Sequence, residues 1–285
     1  MEVSTSLNLY GTHRGIPYPE ILRRAAACGF RHFDFNPADF ARQENSWYTA
    51  PNWRENVREL KALADSLGVK FSQSHAYCFN YPAPEDYDEQ IKKSIEASAI
   101  AGVPWIVLHP WITGKTDFAA ILEENLRKTA PYVAYAKELG VGIAMENAGK
   151  RLYWMGERID GEAFFRADQL IALVDPLQET YGNVGICWDT GHAHLSMESQ
   201  REDLLRIGSR LKVTHIADNS GQQDEHLPAF FGHCNWQEIM ATLREIGYSG
   251  TLNFEAHRFT HRLPDALLDD AVAFLFRAGC HLATL

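Results

Sequence analysis

The sequence predicts an α/β fold, a single (β/α)8 TIM barrel over residues 1–285, and three observations point there. Short apolar runs alternate with amphipathic stretches eight times along the 285 residues. No linker-like or low-complexity segment interrupts the series. Six consecutive runs, the third to the eighth, are each followed by His, Asp or Glu, and a barrel gathers such strand ends at one face. The main alternative is an open doubly wound sheet, but no run leads into a Gly-x-Gly-x-x-Gly segment. A Walker-type phosphate loop and a Gly-x-Ser-x-Gly turn are also missing. With 46% hydrophobic residues the chain can bury a large core.

In chain order, Val3 to Leu9 reads as the first strand and Pro19 to Ala27 as its helix. Phe30 to Phe35 is the second strand, with Asp34 near its end, and a loop holding Trp47 and Trp53 leads to a helix from Glu55 to Leu67. Val69 to Ser74 delivers His75, and a Pro-rich loop precedes a helix over Tyr87 to Ala101. Trp105 to Leu108 delivers His109, and its helix covers Phe118 to Leu139, with a bend or restart expected at Pro131. Val141 to Met145 delivers Glu146. A long polar and aromatic loop, Ala148 to Arg166, then suggests a lid before a helix that ends at Tyr181. Val184 to Cys187 leads into Trp188-Asp-Thr-Gly-His192. Leu211 to Thr214 delivers His215, and a charged, glycine-rich loop runs to Trp236. A helix over Gln237 to Ile246, a strand over Thr251 to Phe254 that delivers Glu255, and a helix over Pro264 to Ala278 complete the chain.

Composition narrows the function classes. The net charge of −10 gives no electrostatic footprint for nonspecific nucleic-acid binding, so nucleic acid is not the expected partner. Five scattered cysteines without a Cys-x-x-Cys pair argue against a disulfide framework and a Cys-based zinc site, and suit a reducing cytoplasm. Met1 to Thr5 has no basic start, and no apolar run reaches membrane-spanning length. The expected setting is therefore cytoplasmic, with no membrane partner.

The strand ends carry the chemistry. Asp189 alone reads as the cap of a following helix, with His192 in its first turn. Six carboxylates and imidazoles in one concave pocket, however, would repel or stay unsatisfied without a cation. Glu146, Asp189, His215 and Glu255 offer three carboxylates and an imidazole, a set suited to Mn²⁺, Zn²⁺, Co²⁺ or Mg²⁺. His192 and the pair Asp224 and His226 are positioned to add ligands. No organic cofactor is called for.

The motifs Met145-Glu-Asn147, Trp188-Asp-Thr-Gly-His192, His215-Ile-Ala-Asp218, Gly232-His-Cys-Asn-Trp236 and Phe254-Glu-Ala256 resemble the xylose-isomerase-like barrel superfamily. That group contains sugar isomerases and epimerases together with endonuclease IV. The resemblance implies that Glu146, Asp189, His215 and Glu255 bind one divalent ion. It implies that Glu146 and Glu255 are the acid–base pair of a keto-sugar or polyol isomerase or epimerase, working through a metal-stabilised enediolate. His192 resembles the histidine that orients the substrate. His75, His109, Trp111, Lys150 and Arg258 are further substrate-binding candidates. The epimerases commonly carry an arginine after the strand-seven histidine, and the loop from Asp218 to His226 has none, leaving Arg258, His257 or Lys150 to replace it.

The same residues resemble the three-metal pattern of endonuclease IV, in which His75, His109, His192, Asp224 and His226 would complete the ligand set. That makes zinc phosphodiester hydrolysis at abasic sites one alternative, although Gly232-His-Cys-Asn departs from the nuclease form. A keto-sugar or keto-inositol lyase or dehydratase, sharing the enolate, is another. Barrels of this type often pair, so a homodimer fits the expectation, with a small carbohydrate as substrate.

Overall fold

Among the described residues, eight barrel strands and eight outer helices alternate along the chain. The strands are Val3–Ser6 (β1), His32–Phe35 (β2), Lys70–His75 (β3), Trp105–Leu108 (β4), Gly142–Glu146 (β5), Val184–Asp189 (β6), Leu211–His215 (β7) and Leu252–Phe254 (β8). The outer helices are Tyr18–Ala27 (α1), Trp53–Ser66 (α2), Tyr87–Ala101 (α3), Phe118–Glu138 (α4), Ala167–Tyr181 (α5), Gln200–Ile207 (α6), Trp236–Glu245 (α7) and Leu268–Leu282 (α8). The structure is a computed structural model and describes residues 1–41, 43, 46–78, 85–149, 151–154, 157–160, 163–196 and 199–285, with 151–154 and 157–160 as backbone only.

All strand pairs in the main sheet are parallel, in the order β8-β1-β2-β3-β4-β5-β6-β7. A parallel bridge between Ile216 and Phe254 joins the two ends, with Ile216 N–H donating to Asn253 O at 2.7 Å. Side chains alternate across each strand. The outward set, including Ile106, Leu108, Ile143, Met145, Ile186 and Trp188, packs with the helices in one large core. Fully burying such a side chain contributes roughly 1.5–3 kcal/mol.

The inward set is smaller. Val107, Ala144, Cys187 and Val213 form a separate buried layer inside the barrel. Two residues further along the same strands come His109, Glu146, Asp189 and His215, so the pleat itself sets the ligand-type side chains above that layer. Below and beside them the interior is polar: Asn253 Nδ2 donates to Asp34 Oδ2 at 3.0 Å, and Ser4 and Ser72 hydroxyls meet at 3.3 Å.

Three elements differ from the sequence expectation. The first strand stops at Ser6, where a 3-10 turn over Leu7–Tyr10 begins with Ser6 as its cap. Helix α4 runs through Pro131 without a restart. The segment after Glu146, expected as a long polar and aromatic loop, holds an antiparallel pair of strands, Arg151–Trp154 with Glu157–Asp160. Among the described residues no helix is long and apolar enough to cross a membrane.

Candidate metal centre

At the C-terminal ends of the strands, Glu146, Asp189, His215 and Glu255 each bring a ligand atom to within 4.8 Å of one another. His215 is fully buried, and its Nδ1 lies 3.0 Å from Glu146 Oε1, 3.3 Å from Glu255 Oε2 and 4.0 Å from Asp189 Oδ2. Behind it, Nε2 faces Asp34 Oδ2 at 3.6 Å. A carboxylate on the far nitrogen of a ligand histidine orients the ring and raises its basicity.

Asp189 divides its two oxygens. Oδ1 accepts the backbone N–H of His192 at 2.7 Å, at the start of a short helix, Thr190–Ser196. Oδ2 is buried with no hydrogen-bond partner, although it sits in the four-residue group. An unpaired buried carboxylate oxygen is costly, and a cation among these donors would satisfy it. The residues present therefore fit a divalent ion. Asn147 fixes the strand end, accepting from Asp189 N–H at 2.6 Å and donating to Asp189 O at 3.0 Å.

Two further groups flank the first. On one side His75, Cys78 and His109 converge, with His75 Nε2 and His109 Nε2 3.2 Å apart and at 3.4 and 2.8 Å from Glu146 Oε2. On the other side His192, Asp224 and His226 converge, with Asp224 Oδ2 at 2.8 Å from His226 Nε2 and 3.7 Å from His192 Nε2. Asp224 Oδ1 is again a buried oxygen without a partner. Three of these histidines share one device. Nδ1–H of His75, His192 and His226 donates to the backbone carbonyls of Ala76, Asn147 and Glu255 at 2.8, 3.0 and 3.0 Å. That orients each ring and aims Nε2 into the pocket, where it can serve as a donor to a cation once its proton is lost.

The loop that carries Asp224 and His226 is built around Asp218. Its side chain accepts from the backbone of Asn219, Phe230 and Cys234 and from Trp236 Nε1 at 2.9 Å. Gly232 is required at this hub, because a Cβ there would come within 2.3 Å of Asn219 O and 2.4 Å of Asp218 Oδ1. The Gly232 to Trp236 motif is thus a structural clamp. It holds the loop where Asp218 and Leu227 pair, next to His226, which has a left-handed φ of 43°.

Proton affinities follow the geometry. Burial pushes the Glu146 carboxyl up, but the imidazoles of His215 and His109 outweigh it and hold the group well below the carboxylate range. Asp189, with burial dominant, is raised to about 6. His109 is brought to about 10 and His226 to about 9, because neighbouring anions outweigh burial, chiefly Cys78 and Glu146 for the first and Asp224 and Glu255 for the second. His257, beside Glu255 and His226, is lowered to about 3 by burial and by the His226 charge.

The remaining expected residues separate. Trp111 packs against Tyr87 and Tyr132, on α3 and α4, at ring separations of 5.0 and 6.1 Å, so it anchors its loop. Arg258 is exposed on a short helix, His257–Thr260, directly after β8. Lys150 lies outside the described residues. Sequence reading assigned no role to Asp34 or Asn147, and offered His257 only as a replacement for the missing arginine. Asp34 had a signal, a carboxylate on the inward phase of β2, whereas Cys78 lies in a loop with no periodicity to mark it.

The sequence pattern of the xylose isomerase-like TIM barrel family matches residues 22–278. The chain belongs to that family. Among relatives, the uncharacterized protein y4fM of Sinorhizobium fredii is 31% identical over 212 residues, covering 70% of this chain. The match spans 63% of that relative's own length. Among solved structures, the IolI protein with a binding zinc atom superposes with a TM-score of 0.77 at 18% identity, over 100% of this chain and 98% of that one. A D-tagatose 3-epimerase-like protein gives 0.74 at 21% identity over the same shares. Likeness at these identities establishes the fold.

Proposed function

We propose that this family member is a divalent-metal-dependent isomerase or epimerase of a small keto-sugar or polyol. The observation that carries the reading is the four-residue group Glu146, Asp189, His215 and Glu255, with the partnerless Asp189 Oδ2 within it. A divalent ion held there would polarise a carbonyl and a neighbouring hydroxyl and acidify the C–H between them. Glu146 on β5 and Glu255 after β8 approach His215 Nδ1 from different strands, at 3.0 and 3.3 Å. One would take the proton from the acidified carbon, and the other, after accepting a proton from water, would return one to the opposite face. Both carboxyls are held below their ordinary range, despite burial, by His215 with His109 for Glu146 and with His226 for Glu255, so both are ionised at neutral pH. His192, whose ring is fixed by Asn147 O, would orient a substrate hydroxyl. Structures of the same fold described as a D-tagatose 3-epimerase-like protein and as IolI with zinc support this reading.

The test is proton exchange. Metal-stripped protein is reloaded with Mn²⁺, Zn²⁺, Co²⁺ or Mg²⁺ and incubated in D₂O with a panel of keto-sugars and keto-polyols. Metal-dependent deuterium incorporation beside the carbonyl is expected, and its absence with every ion and substrate overturns the reading. Water loss along with exchange would point to a dehydratase.

A second reading, phosphodiester hydrolysis by clustered ions, is favoured by one observation: two further ligand groups flank the first, and Glu146 Oε2 faces one of them. Efficient metal-dependent incision of an abasic-site duplex would replace the sugar reading with this one.

A further inference from the structure

We infer that Asp39, with Asn8 beside it, is a subsite for two neighbouring hydroxyls of a polyhydroxy substrate, on the β1–β2 side of the pocket. The inference rests on the sugar reading above and deepens it, because it names what grips the substrate away from the metal. Strands β3 to β8 lead to His, Asp or Glu, whereas β1 ends at Ser6 and β2 leads to Asn36. In the parallel barrel β1 lies beside β8, which leads to Glu255, and β2 lies beside β3, which ends at His75. Asp39 follows β2 in a 3-10 turn, Pro37–Phe40. Pro37, Ala38 and Phe40 are buried, and the Phe40 ring lies 4.8 Å from that of Tyr18. The turn is thus anchored, and Asp39 alone of its four residues is open to solvent. Its carboxyl feels the charges of His75, Cys78 and Glu255, so it faces the same pocket.

The hydrogen bonds around Asp39 are closed on one side and open on the other. Oδ2 accepts from Asn8 Nδ2 and from Asn36 Nδ2, each at 2.9 Å. Asn36 Nδ2 also donates to Ser6 Oγ at 2.8 Å, which uses both of its protons. Ser6 Oγ in turn donates to Asn8 Oδ1 and accepts from the Asn8 backbone N–H at 3.3 Å. Among the described residues, this leaves two groups over: Asp39 Oδ1 and the second Nδ2 proton of Asn8. An acceptor and a donor side by side match two adjacent hydroxyls, one donating to Oδ1 and the other accepting from Asn8. Open to water but enclosed by the pocket walls, the Asp39 carboxyl is raised to about 7 by burial, against the pull of His75. Near neutral pH it therefore holds a hydroxyl either as an accepting carboxylate or as a donating acid. The competing account is an acid that only braces two asparagines. Bracing uses Oδ2 alone and gives no reason for a free oxygen within reach of the charges of His75 and Glu255.

The experiment compares the full chain with Asp39→Asn, which keeps an oxygen for the two asparagines and turns the free oxygen into an amide donor. The first arm takes the keto-sugar that exchanges deuterium fastest in the panel above, together with its singly deoxygenated forms. Asp39→Asn should raise KM at least about tenfold, the scale of a lost hydrogen bond to a charged group. Its kcat should stay within about twofold, the pattern of binding lost equally from ground and transition states. One deoxygenated form should be impaired to the same degree in the wild type and lose nothing more in Asp39→Asn. A bracing role would instead penalise every form alike. The second arm needs no turnover. Metal-stripped protein is titrated with D-sorbitol by saturation-transfer NMR, and Asp39→Asn should weaken binding at least about tenfold. Sorbitol that fails to bind the wild type, sorbitol that binds both forms equally, or a uniform penalty across the deoxygenated forms overturns the subsite and leaves the reaction to be judged by exchange. Asp39-dependent sorbitol binding without exchange on any substrate overturns the reaction and keeps the subsite.

Discussion

The backbone N–H of His192 donates to Asp189 Oδ1 at 2.7 Å while Asp189 Oδ2, in the same carboxylate, points without a partner into the group with Glu146, His215 and Glu255. The local reading of Asp189 as a helix cap and the reading as a metal ligand are therefore both satisfied, one by each oxygen. This separates two effects that mutation usually mixes.

Asp189→Asn keeps an acceptor of similar capping strength and removes a charge that burial disfavours. The metal-stripped variant should melt at least as high as the wild type, and its metal affinity should fall by at least about tenfold. Asp189→Ala should also lose the cap, worth about 1 kcal/mol. Thermal melts with and without chelator, alongside metal titrations, check both. Equal metal affinity in Asp189→Asn would remove this residue from the ligand set.

Glu146→Gln and Glu255→Gln should each lower turnover by about 10²–10⁴-fold, the usual range for a lost acid or base. The far-ultraviolet circular dichroism should not change. If both variants exchange substrate hydrogen at near-wild-type rates, the acid–base assignment is wrong.

The metal-stripped protein should lose stability as pH rises from about 6.5 to about 9. In that window an unfolded histidine sheds its proton near 6.5, while His226, at about 9, and His109, at about 10, still hold theirs. His75, His192 and His215 are raised in the same direction by their anionic neighbours, against burial. The unfolded chain then binds fewer protons, and stability falls with pH. Cys78, lowered to about 6 as His109 and His75 outweigh burial, acts the other way but is one group against five. Loaded protein should not show the fall, because the ion takes the place of those protons. Melting temperatures across the window, with chelator and with zinc, decide it; parallel curves would contradict the ligand assignment.

Asp34 Oδ2, 3.6 Å behind His215 Nε2, is expected to act as a positioning residue for that imidazole. Asp34→Asn should weaken metal binding by about 10–100-fold, as loss of a carboxylate behind a ligand histidine does. It should also shift the pH dependence of metal affinity, since the imidazole loses its anionic neighbour. A fold-wide defect would instead lower stability and leave that pH dependence in place. Chelator competition at several pH values separates the two.

Much of this was legible in the sequence because strand pleating converts spacing into direction. Val107 and His109, Ala144 and Glu146, Cys187 and Asp189, and Val213 and His215 are each two apart, and each pair places one small residue and one ligand-type side chain on the inner face. The positions of these candidate residues therefore followed from where the apolar runs ended. The capping of the turn after Ser6 was not legible, because it depends on one side-chain hydrogen bond to Asn8 N–H. The hairpin at Arg151–Asp160 gave only a polar, aromatic stretch to read. Trp111 looked like a pocket residue, yet its ring is held by Tyr87 and Tyr132 from two helices, a contact that sequence spacing does not encode. Cys78 escaped for the same reason, since only the path of the loop brings it back to His75.

Glu146 gives Oε1 to His215 at 3.0 Å and Oε2 to His109 at 2.8 Å. One carboxylate held in common ties the two positions thermodynamically. If ions load at both positions, one bound on either side would order Glu146 for the other and draw charge from it, linking the two by a reciprocal coupling free energy. The occupancy of each position would then depend on the concentration of the metal that loads the other, and not on the order in which the two are offered.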